Sequence, residues 1–358
     1  MPDQLKPITD PGATRADLLR RLFPNGPPKL WCPPLTHYTP EGGIDAARIR
    51  AHLRHLSPHV KGLLVPGTTG DGWELTPEET RQVLGLGLAQ AAELGLHVLI
   101  GVLKPDEIEA RASSLETVAW LETGTPQRGL SRPGSGVLTP PVCGFTFCPP
   151  RGSHLAQPDI GRALGSLLAT GFPTALYQLP QVTQNEISPA LAAELAARFG
   201  NFILFKDSSG ADRVALSGQE PAGVFRLRGS EGGYARWLRI AGGAYDGFLL
   251  GSANCFAAEL AQVIRELSAG HAEAATALST RLSRIVGEAA NLVTGLAQGN
   301  AFANANKALD HFFAFGPRAI AAPPPRLHAG SALPASMLRA AGELLARHGF
   351  MPAKGYLE

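Results

Sequence analysis

The chain has 358 residues, of which 44% are hydrophobic and 17% charged, with a formal net charge of +2. This is the composition of a globular protein with one large domain or two smaller ones. The balanced charge, with no basic block, argues against a nucleic-acid partner or a membrane surface. No apolar stretch reaches membrane-spanning length, and the N-terminal residues lack the apolar core of a signal peptide. The sequence therefore predicts a cytoplasmic protein.

Four cysteines are too few to predict a disulfide framework in a chain of this size. Cys143 and Cys148 enclose four residues, but no pair of His or Cys lies at zinc-site spacing from them. We therefore interpret these two cysteines as small residues of a loop and expect neither a metal nor a cofactor.

Short apolar runs bounded by Gly and Pro alternate along the chain with longer segments rich in Ala, Leu, Glu and Arg. The first group predicts strands at 30–35, 62–65, 97–102, 136–138, 174–177, 202–206, 224–227 and 247–250. The second predicts helices at 44–56, 106–121, 157–170 and 234–240, and helices that begin at Pro77 and Pro189. Thr76, Pro77 and Glu79 form a helix start with a capping box.

Eight strands that alternate with helices over about 220 residues predict an α/β protein with a (β/α)8 barrel. A doubly wound sheet is the alternative, but no Gly-x-Gly-x-x-Gly follows the first strand. We expect an irregular or partly helical lead-in at 1–28, the barrel at 29–255, and a helical extension at 256–358 with a Pro-rich break at 322–325. The turn-forming residues at 122–136 predict a surface loop.

Lys206 closes the apolar run at 202–205. Both faces of this strand are apolar, which is typical of a parallel strand that is covered on both sides. Lys206 would therefore project from the C-terminal end of a buried strand, where desolvation lowers the pKa of an amine. An amine with a pKa of roughly 7–8 has the neutral fraction that Schiff-base formation requires. An exposed lysine that merely ends a strand is the alternative.

Two further features fall at the C-terminal ends of predicted strands, where a barrel has its active site. The loop from Gly67 to Gly70 offers two hydroxyls and closely spaced N–H groups that could hold a carboxylate. Tyr177 could transfer a proton. Taken singly, an ordinary turn and a core tyrosine explain these features equally well.

Several stretches together resemble the dihydrodipicolinate synthase / N-acetylneuraminate lyase family of class I aldolases over about residues 30–315. The matching stretches are 67–71, 75–79, 177–180 with Thr183, 206–210, 229–231 and 247–254. The resemblance implies a homo-oligomeric barrel, a dimer or tetramer, that acts on a small 2-oxo acid. It also implies that Lys206 condenses with the ketone of pyruvate or a similar acid, so that the protonated imine accepts electrons from a neighbouring bond.

The resemblance assigns the remaining site residues as well. Tyr177 would be the general acid and base, with its hydroxyl relayed through Thr68. The backbone N–H groups of Thr68 and Thr69 would hold the substrate carboxylate. A main-chain carbonyl near Leu249 would orient the imine.

The chain departs from the family pattern at two positions. Many members have two tyrosines after Thr-Pro, the second of which completes a proton relay in a neighbouring subunit; here Pro141 and Val142 take these places. Dihydrodipicolinate synthases have an arginine two residues beyond the Pro of Tyr-x-x-Pro, and here this residue is Val182. A valine cannot replace a bidentate carboxylate clamp, which argues against lysine biosynthesis.

These departures predict a small, apolar distal pocket and a less polar aldehyde or oxo-acid partner. Its predicted walls are Val142, Phe145, Phe147 and Val182. The leading hypothesis is a lyase, either an aldolase or a dehydratase. The alternative is a catalytically impaired member that acts as a small-molecule binding or regulatory protein. A phosphate-handling barrel is disfavoured, because no phosphate loop follows the seventh and eighth predicted strands.

Overall fold

A computed structural model describes residues 14–123 and 141–358. Within these ranges, eight parallel strands form a single sheet in which each strand pairs with the next and the eighth pairs with the first. The strands are β1 Leu30–Cys32, β2 Gly62–Val65, β3 His97–Val102, β4 Val142–Phe147, β5 Thr174–Gln178, β6 Phe202–Asp207, β7 Phe225–Arg228 and β8 Gly247–Leu249. The predicted (β/α)8 barrel is confirmed.

Helices connect the strands and continue beyond the last one. They are α1 Arg15–Leu22, α2 Ala46–Leu56, α3 Pro77–Leu94, α4 Glu107–Glu122, α5 Gln157–Leu168, α6 Pro180–Thr183, α7 Pro189–Arg198, α8 Arg213–Leu216, α9 Tyr234–Trp237, α10 Ala253–Ser268, α11 Ala272–Leu292, α12 Ala301–Phe315 and α13 Ala335–Arg347. Thr76 caps α3 with the predicted capping box to Glu79. In the described ranges, no helix combines the length and apolarity that a membrane span requires.

The fourth strand differs from the prediction. The predicted strand at 136–138 lies outside the described residues, and β4 begins at Val142 instead. Cys143 is therefore part of a strand and Cys148 follows directly after it, so the loop predicted for this pair is wrong. The run from Val142 to Phe147 contains β-branched and aromatic residues that suit a strand, but its Gly and Cys weaken the pattern.

The lower end of the barrel, where the strands begin, is closed by α1. Leu18 and Leu22 of α1 pack against the side chains that fill the barrel interior, including Trp31. Arg15 donates hydrogen bonds to the carbonyl oxygens of Phe199 and Phe202 at 2.9 and 2.6 Å, at the start of β6. Because the described residues fill this end, the end where the strands finish is the one that can admit a ligand to the barrel axis.

A bulge in β6 decides which of its side chains face inward. Thr174 pairs with Phe202, but the next residue of β5, Ala175, pairs with Leu204, so that Ile203 is an extra residue. Phe202 consequently packs in the outer core, between the sheet and the helices, while Leu204 packs in the barrel interior. From Leu204 onward the alternation carries Lys206 to the inner face.

Candidate active site

Lys206 lies near the end of β6 and points into the mouth of the barrel, with 4% of its surface exposed. Its Nζ is 3.8 Å from the centre of the Tyr177 ring. Burial lowers the pKa of Lys206 from its usual 10.5 to about 7, against the opposing influence of Cys148 and Glu231. Close to half of the amine molecules are therefore neutral at pH 7, which is the nucleophilic form.

Tyr177 lies beside Lys206, because these two residues are paired in the register of β5 and β6. Its side chain is 2% exposed, and its hydroxyl lies 3.2 Å from Oγ1 of Thr68. Burial raises the pKa of Tyr177, while hydrogen bonds from Thr68 and Ser208 oppose this rise. Two hydroxyl donors thus stabilise the phenolate that a base at this position would have to form.

Thr68 and Thr69 are buried in a single 3-10 turn, Thr68–Gly70, that follows β2. The turn is packed so closely that an added Cβ at Gly67 would lie 2.5 Å from Cβ of Pro33. At Gly70 it would lie 2.5 Å from the carbonyl oxygen of Pro34. The N–H groups that open a helical turn have no partner within it, so those of Thr68 and Thr69 are free of intrahelical bonds.

Helix α12 holds this turn from the outside. Lys307 of α12 forms a buried ion pair with Asp71, with Nζ 2.6 Å from the carboxylate, and the hydroxyl of Tyr38 donates to the same carboxylate at 3.0 Å. Asn300, which caps α12, donates from Nδ2 to the carbonyl oxygen of Thr68 at 2.6 Å. These contacts were not expected from the sequence, because Lys307 lies among other polar residues of α12, such as Asn304 and Asp310.

Glycine is required beside Lys206 where β7 ends. An added Cβ at Gly229 would lie 2.0 Å from Oγ of Ser208 and 2.8 Å from Cε of Lys206. Leu249 ends β8 on the same side of the barrel and packs in the interior with Leu204.

Glu231 is the carboxylate that raises the pKa of Lys206. It accepts hydrogen bonds from the N–H and Oγ of Ser252 at 3.0 and 2.7 Å, and from the hydroxyl of Tyr234 at 2.9 Å. Burial raises the pKa of Glu231, and these donors oppose the rise. Glu231 is thereby fixed as a distant counter-charge and does not pair directly with the amine.

A small apolar cluster surrounds the opening above Tyr177. Its members are Leu103, Cys148, Tyr177 and Leu179, with Trp73 and Val182 packed against them. Nε1 of Trp73 donates to Oγ1 of Thr68 at 3.1 Å. The guanidinium carbon of Arg151 lies 5.9 Å from the Trp73 ring at the exposed rim. Trp73, Cys148 and Arg151 were not expected at the site, because their proximity depends on loops that local patterns do not define.

Val142 does not lie at this opening, so its predicted place in the distal pocket is wrong. It is the first residue of β4 and pairs with Val98, near the end of the barrel where the strands begin. Phe145 and Phe147 also fail as pocket walls, because they pack in the outer core against residues such as Phe172. The residues that leave β4 at the active end are Cys148, Pro149, Pro150 and Arg151. The reason is that β4 begins at Val142, four residues after the predicted strand at 136–138 ends.

One buried group of potential metal ligands lies away from the barrel mouth. Ligand atoms of His37, His52 and Asp310 lie within 4.8 Å of one another. However, Nε2 of His37 and Nδ1 of His52 lie 3.0 Å apart in a hydrogen bond, and Arg48 donates to Asp310 at 2.9 Å. Tyr356 donates to the same carboxylate. His37, His52 and Asp310 therefore already have hydrogen-bond partners in one another, Arg48 and Tyr356, and we assign no metal to them.

The chain is similar to known proteins in sequence and in fold. No protein-family profile matches the sequence. The chain is 26% identical over 250 residues to a 4-hydroxy-tetrahydrodipicolinate synthase from Xanthomonas axonopodis pv. citri (strain 306), with 69% of this chain and 75% of that protein covered.

Solved structures share the architecture. A prophage protein of the dihydrodipicolinic acid synthase family from E. coli K12, in complex with pyruvate, has a TM-score of 0.68 at 18% identity and covers 90% of this chain and 99% of its own. The 2-keto-3-deoxygluconate aldolase of Sulfolobus, in complex with D-KDPG, has a TM-score of 0.66 at 17% identity and covers 89% and 96%. The sequence relative supports the resemblance to the dihydrodipicolinate synthase family, and the solved structures share the barrel fold of this chain.

Proposed function

We propose that the protein is a lyase in which Lys206 forms a Schiff base with pyruvate or another 2-oxo acid. The observation that carries this proposal is a buried amine with a pKa of about 7 at the open end of the barrel, 3.8 Å from the ring of Tyr177. Similarity in sequence to a synthase and in fold to an aldolase supports an enzymatic role. The pyruvate complex of one relative supports pyruvate as the first substrate.

The proposed chemistry begins with attack of the neutral Lys206 amine on the C2 carbonyl. The resulting carbinolamine takes up a proton on its oxygen and loses water to give a protonated imine. In a retro-aldol step this imine accepts the electron pair of the C3–C4 bond, and in a dehydration it accepts that of a C3–H bond. Either step gives an enamine, which in the dehydration expels the protonated hydroxyl group on C4 as water. Tyr177, 3.2 Å from Thr68, would transfer the protons.

The carboxylate of the 2-oxo acid would bind the N–H groups of Thr68 and Thr69. The tight packing of this turn and the contact of Asn300 with Thr68 support a rigid seat. The main-chain carbonyl of Leu249 would orient the imine from β8. The partner substrate would contact Val182, which packs against the cluster that contains Tyr177.

Two observations argue against dihydrodipicolinate synthase as the specific activity. Val182 offers no bidentate carboxylate clamp. The residues that leave β4, from Cys148 to Arg151, include no tyrosine. They therefore supply no relay hydroxyl, although the sequence had predicted this gap at Val142, which lies at the start of the strand. We therefore propose an aldolase or dehydratase with a different second substrate. A dimeric or tetrameric assembly and a cytoplasmic location remain predictions.

A catalytically impaired small-molecule binding or regulatory protein is the second candidate. The residues from Cys148 to Arg151, which offer no hydroxyl for a relay, favour it. The lowered pKa of Lys206 weighs against it, because a protein that only binds a 2-oxo acid gains more from a charged amine than from a neutral one.

Borohydride trapping distinguishes the two candidates. The protein is incubated with pyruvate and sodium borohydride, and the intact and peptide masses are measured. We expect a reduced pyruvate adduct on the peptide that contains Lys206, absent in Lys206→Ala and present in Lys61→Ala, which removes an exposed lysine. If neither pyruvate nor a panel of 2-oxo acids gives an adduct while calorimetry shows binding, the enzyme proposal is wrong and the binding protein is favoured.

A further inference from the structure

We propose that Trp73 is a positioning residue that fixes the direction of the hydrogen bonds at the catalytic tyrosine, so that Thr68 is a fixed donor to Tyr177 and does not relay protons. This inference rests on the proposed function, because it concerns how Tyr177 handles protons beside the imine of Lys206. It also replaces the relay through Thr68 that the family resemblance implies.

The three side chains form a short chain of hydrogen bonds. Nε1 of Trp73 lies 3.1 Å from Oγ1 of Thr68, which lies 3.2 Å from the hydroxyl of Tyr177. An indole N–H is a donor only, and its nitrogen accepts no hydrogen bond. Thr68 must therefore accept from Trp73.

The partners of the Thr68 hydroxyl indicate the direction in which it donates its single proton. Among the described residues, the hydrogen-bond partners of Thr68 Oγ1 are Trp73 and Tyr177. Since Trp73 cannot accept this proton and Tyr177 is the other partner, we infer that Thr68 donates to the oxygen of Tyr177. The proton of Tyr177 is then free for the reacting group beside Lys206, and the phenolate formed by its loss keeps the donor from Thr68.

The direction of these hydrogen bonds also means that Tyr177 is the last of the three residues that can carry a proton. An indole N–H does not titrate in the range of a phenol or an imine, so no proton can pass through Thr68 to Trp73 and onward. Tyr177 consequently exchanges protons with the substrate and with solvent at its own oxygen. The residue that donates to Thr68 is Trp73, five residues further along the same chain.

The loop that carries Trp73 and the contacts of its ring hold the side chain in place. It follows Asp71, which Lys307 holds in a buried ion pair, and Gly72, where an added Cβ would lie 2.8 Å from the carbonyl oxygen of Gly67. Its ring packs against the cluster that contains Tyr177, and Arg151 lies over the exposed part of the ring. A tight loop and contacts around the ring give the indole N–H little freedom to turn from Thr68.

The test uses the exchange of the methyl protons of pyruvate in D2O, followed by NMR, which needs no second substrate. In this half-reaction a base removes a C3 proton from the protonated imine to give the enamine, and a deuteron from solvent returns to C3. The protein variants are Trp73→Phe and a protein that carries 3-benzothienylalanine at position 73, in which sulfur replaces the N–H in a ring of the same shape.

We expect the final extent of pyruvate trapping with borohydride in both variants to be within about twofold of that of the unmodified protein, while the exchange rate falls about tenfold, as for loss of one oriented hydrogen bond. Thr68 lowers the pKa of Tyr177 by donating to its oxygen. Loss of this orientation raises that pKa, so the pH profile of exchange should move to higher pH. Trp120→Phe, which changes a tryptophan on α4, is the control and should leave both measurements unchanged.

The outcomes separate the two proposals. Failure of the unmodified protein to trap any 2-oxo acid overturns the proposed function. Normal trapping, with an unchanged exchange rate and pH profile in the benzothienyl protein, overturns the role of Trp73 alone, even if Trp73→Phe does not fold. An unmodified protein that traps pyruvate but exchanges no methyl protons contradicts Tyr177 as the base, and with it this inference.

Discussion

Lys206 and Lys307 are both buried, at 4% and 1% exposure, and both lie near the turn that contains Thr68. Lys307 has a carboxylate partner, Asp71, at 2.6 Å. Lys206 has an aromatic ring at 3.8 Å, and among the described residues no carboxylate forms an ion pair with it. Burial lowers the pKa of both amines, but at Lys307 the charge of Asp71 opposes the fall.

The comparison shows that burial alone does not make a lysine reactive. A buried amine with an ion-pair partner holds two elements together, here α12 and the turn after β2. A buried amine without such a partner becomes neutral near pH 7 and can act as a nucleophile. The following substitutions and conditions change one side of this comparison at a time.

Lys307→Met is expected to have the largest effect, because it leaves Asp71 buried without a counter-charge. We expect a loss of roughly 3–5 kcal/mol in the free energy of unfolding, measured by urea denaturation. The double variant Asp71→Asn with Lys307→Met removes both charges and should recover most of this loss. If the single variant is as stable as the parent protein, the ion pair does not tie α12 to the turn.

Lys206→Met should have the opposite sign and stabilise the protein by roughly 1–3 kcal/mol at pH 7, because an unpaired polar group leaves the interior. The pKa of Lys206 is about 7 in the folded state and 10.5 ordinarily, so the unfolded state binds more protons between these values. The stability of the parent protein therefore rises over this range, and the advantage of Lys206→Met should shrink from pH 7 to pH 10. A pH-independent advantage would show that the amine is not desolvated.

Gly229→Ala is expected to lower the rate of borohydride trapping by about tenfold, because its Cβ displaces a reactive side chain from its position. The added atom would meet Ser208 at 2.0 Å and Lys206 at 2.8 Å. The matched control is Gly287→Ala on α11, where an added Cβ meets nothing within 4 Å. We expect the control to trap pyruvate normally and to gain up to about 1 kcal/mol from its better helix former.

The smallest predicted effect is the pH dependence of imine formation in the unmodified protein. With a pKa of about 7 for Lys206, the neutral fraction of the amine rises about threefold between pH 6.5 and 7.5. The rate of trapping at low pyruvate concentration should follow this increase. A midpoint above pH 9 would mean that Lys206 is solvated like an ordinary lysine, which would remove its contrast with Lys307.

Much of the fold follows from local patterns. Alternation of short apolar runs with helix-forming segments predicts the barrel, and the bounds of β2 and β3 agree with the prediction. The start of α3 also agrees, because its capping box involves residues only three positions apart. The placement of Lys206 and Tyr177 on adjacent strands follows from the same rhythm, since consecutive strands of such a barrel are neighbours.

The position of β4 could not be obtained in this way. Gly, Pro and Cys around Val142 obscure the start of the strand, and the pairing of Val142 with Val98 depends on the closure of the sheet. Because the strand was predicted at the wrong position, Val142 was expected at the active end of the barrel, whereas it lies at the opposite end. The bulge at Ile203 is a similar case, because an extra residue in a strand is visible only against its partner strand.

The sequence by itself determined the barrel, the strand that carries Lys206 and the adjacent strand that carries Tyr177, because strand and helix periodicity and cap chemistry act over a few residues. Tertiary structure alone decided which charges and donors surround them. Asp71 and Lys307 are 236 positions apart, and Trp73 meets Thr68 only because a tightly packed loop brings the indole back to the strand end. The pKa of Lys206 depends on the same packing, because desolvation by the whole fold sets it.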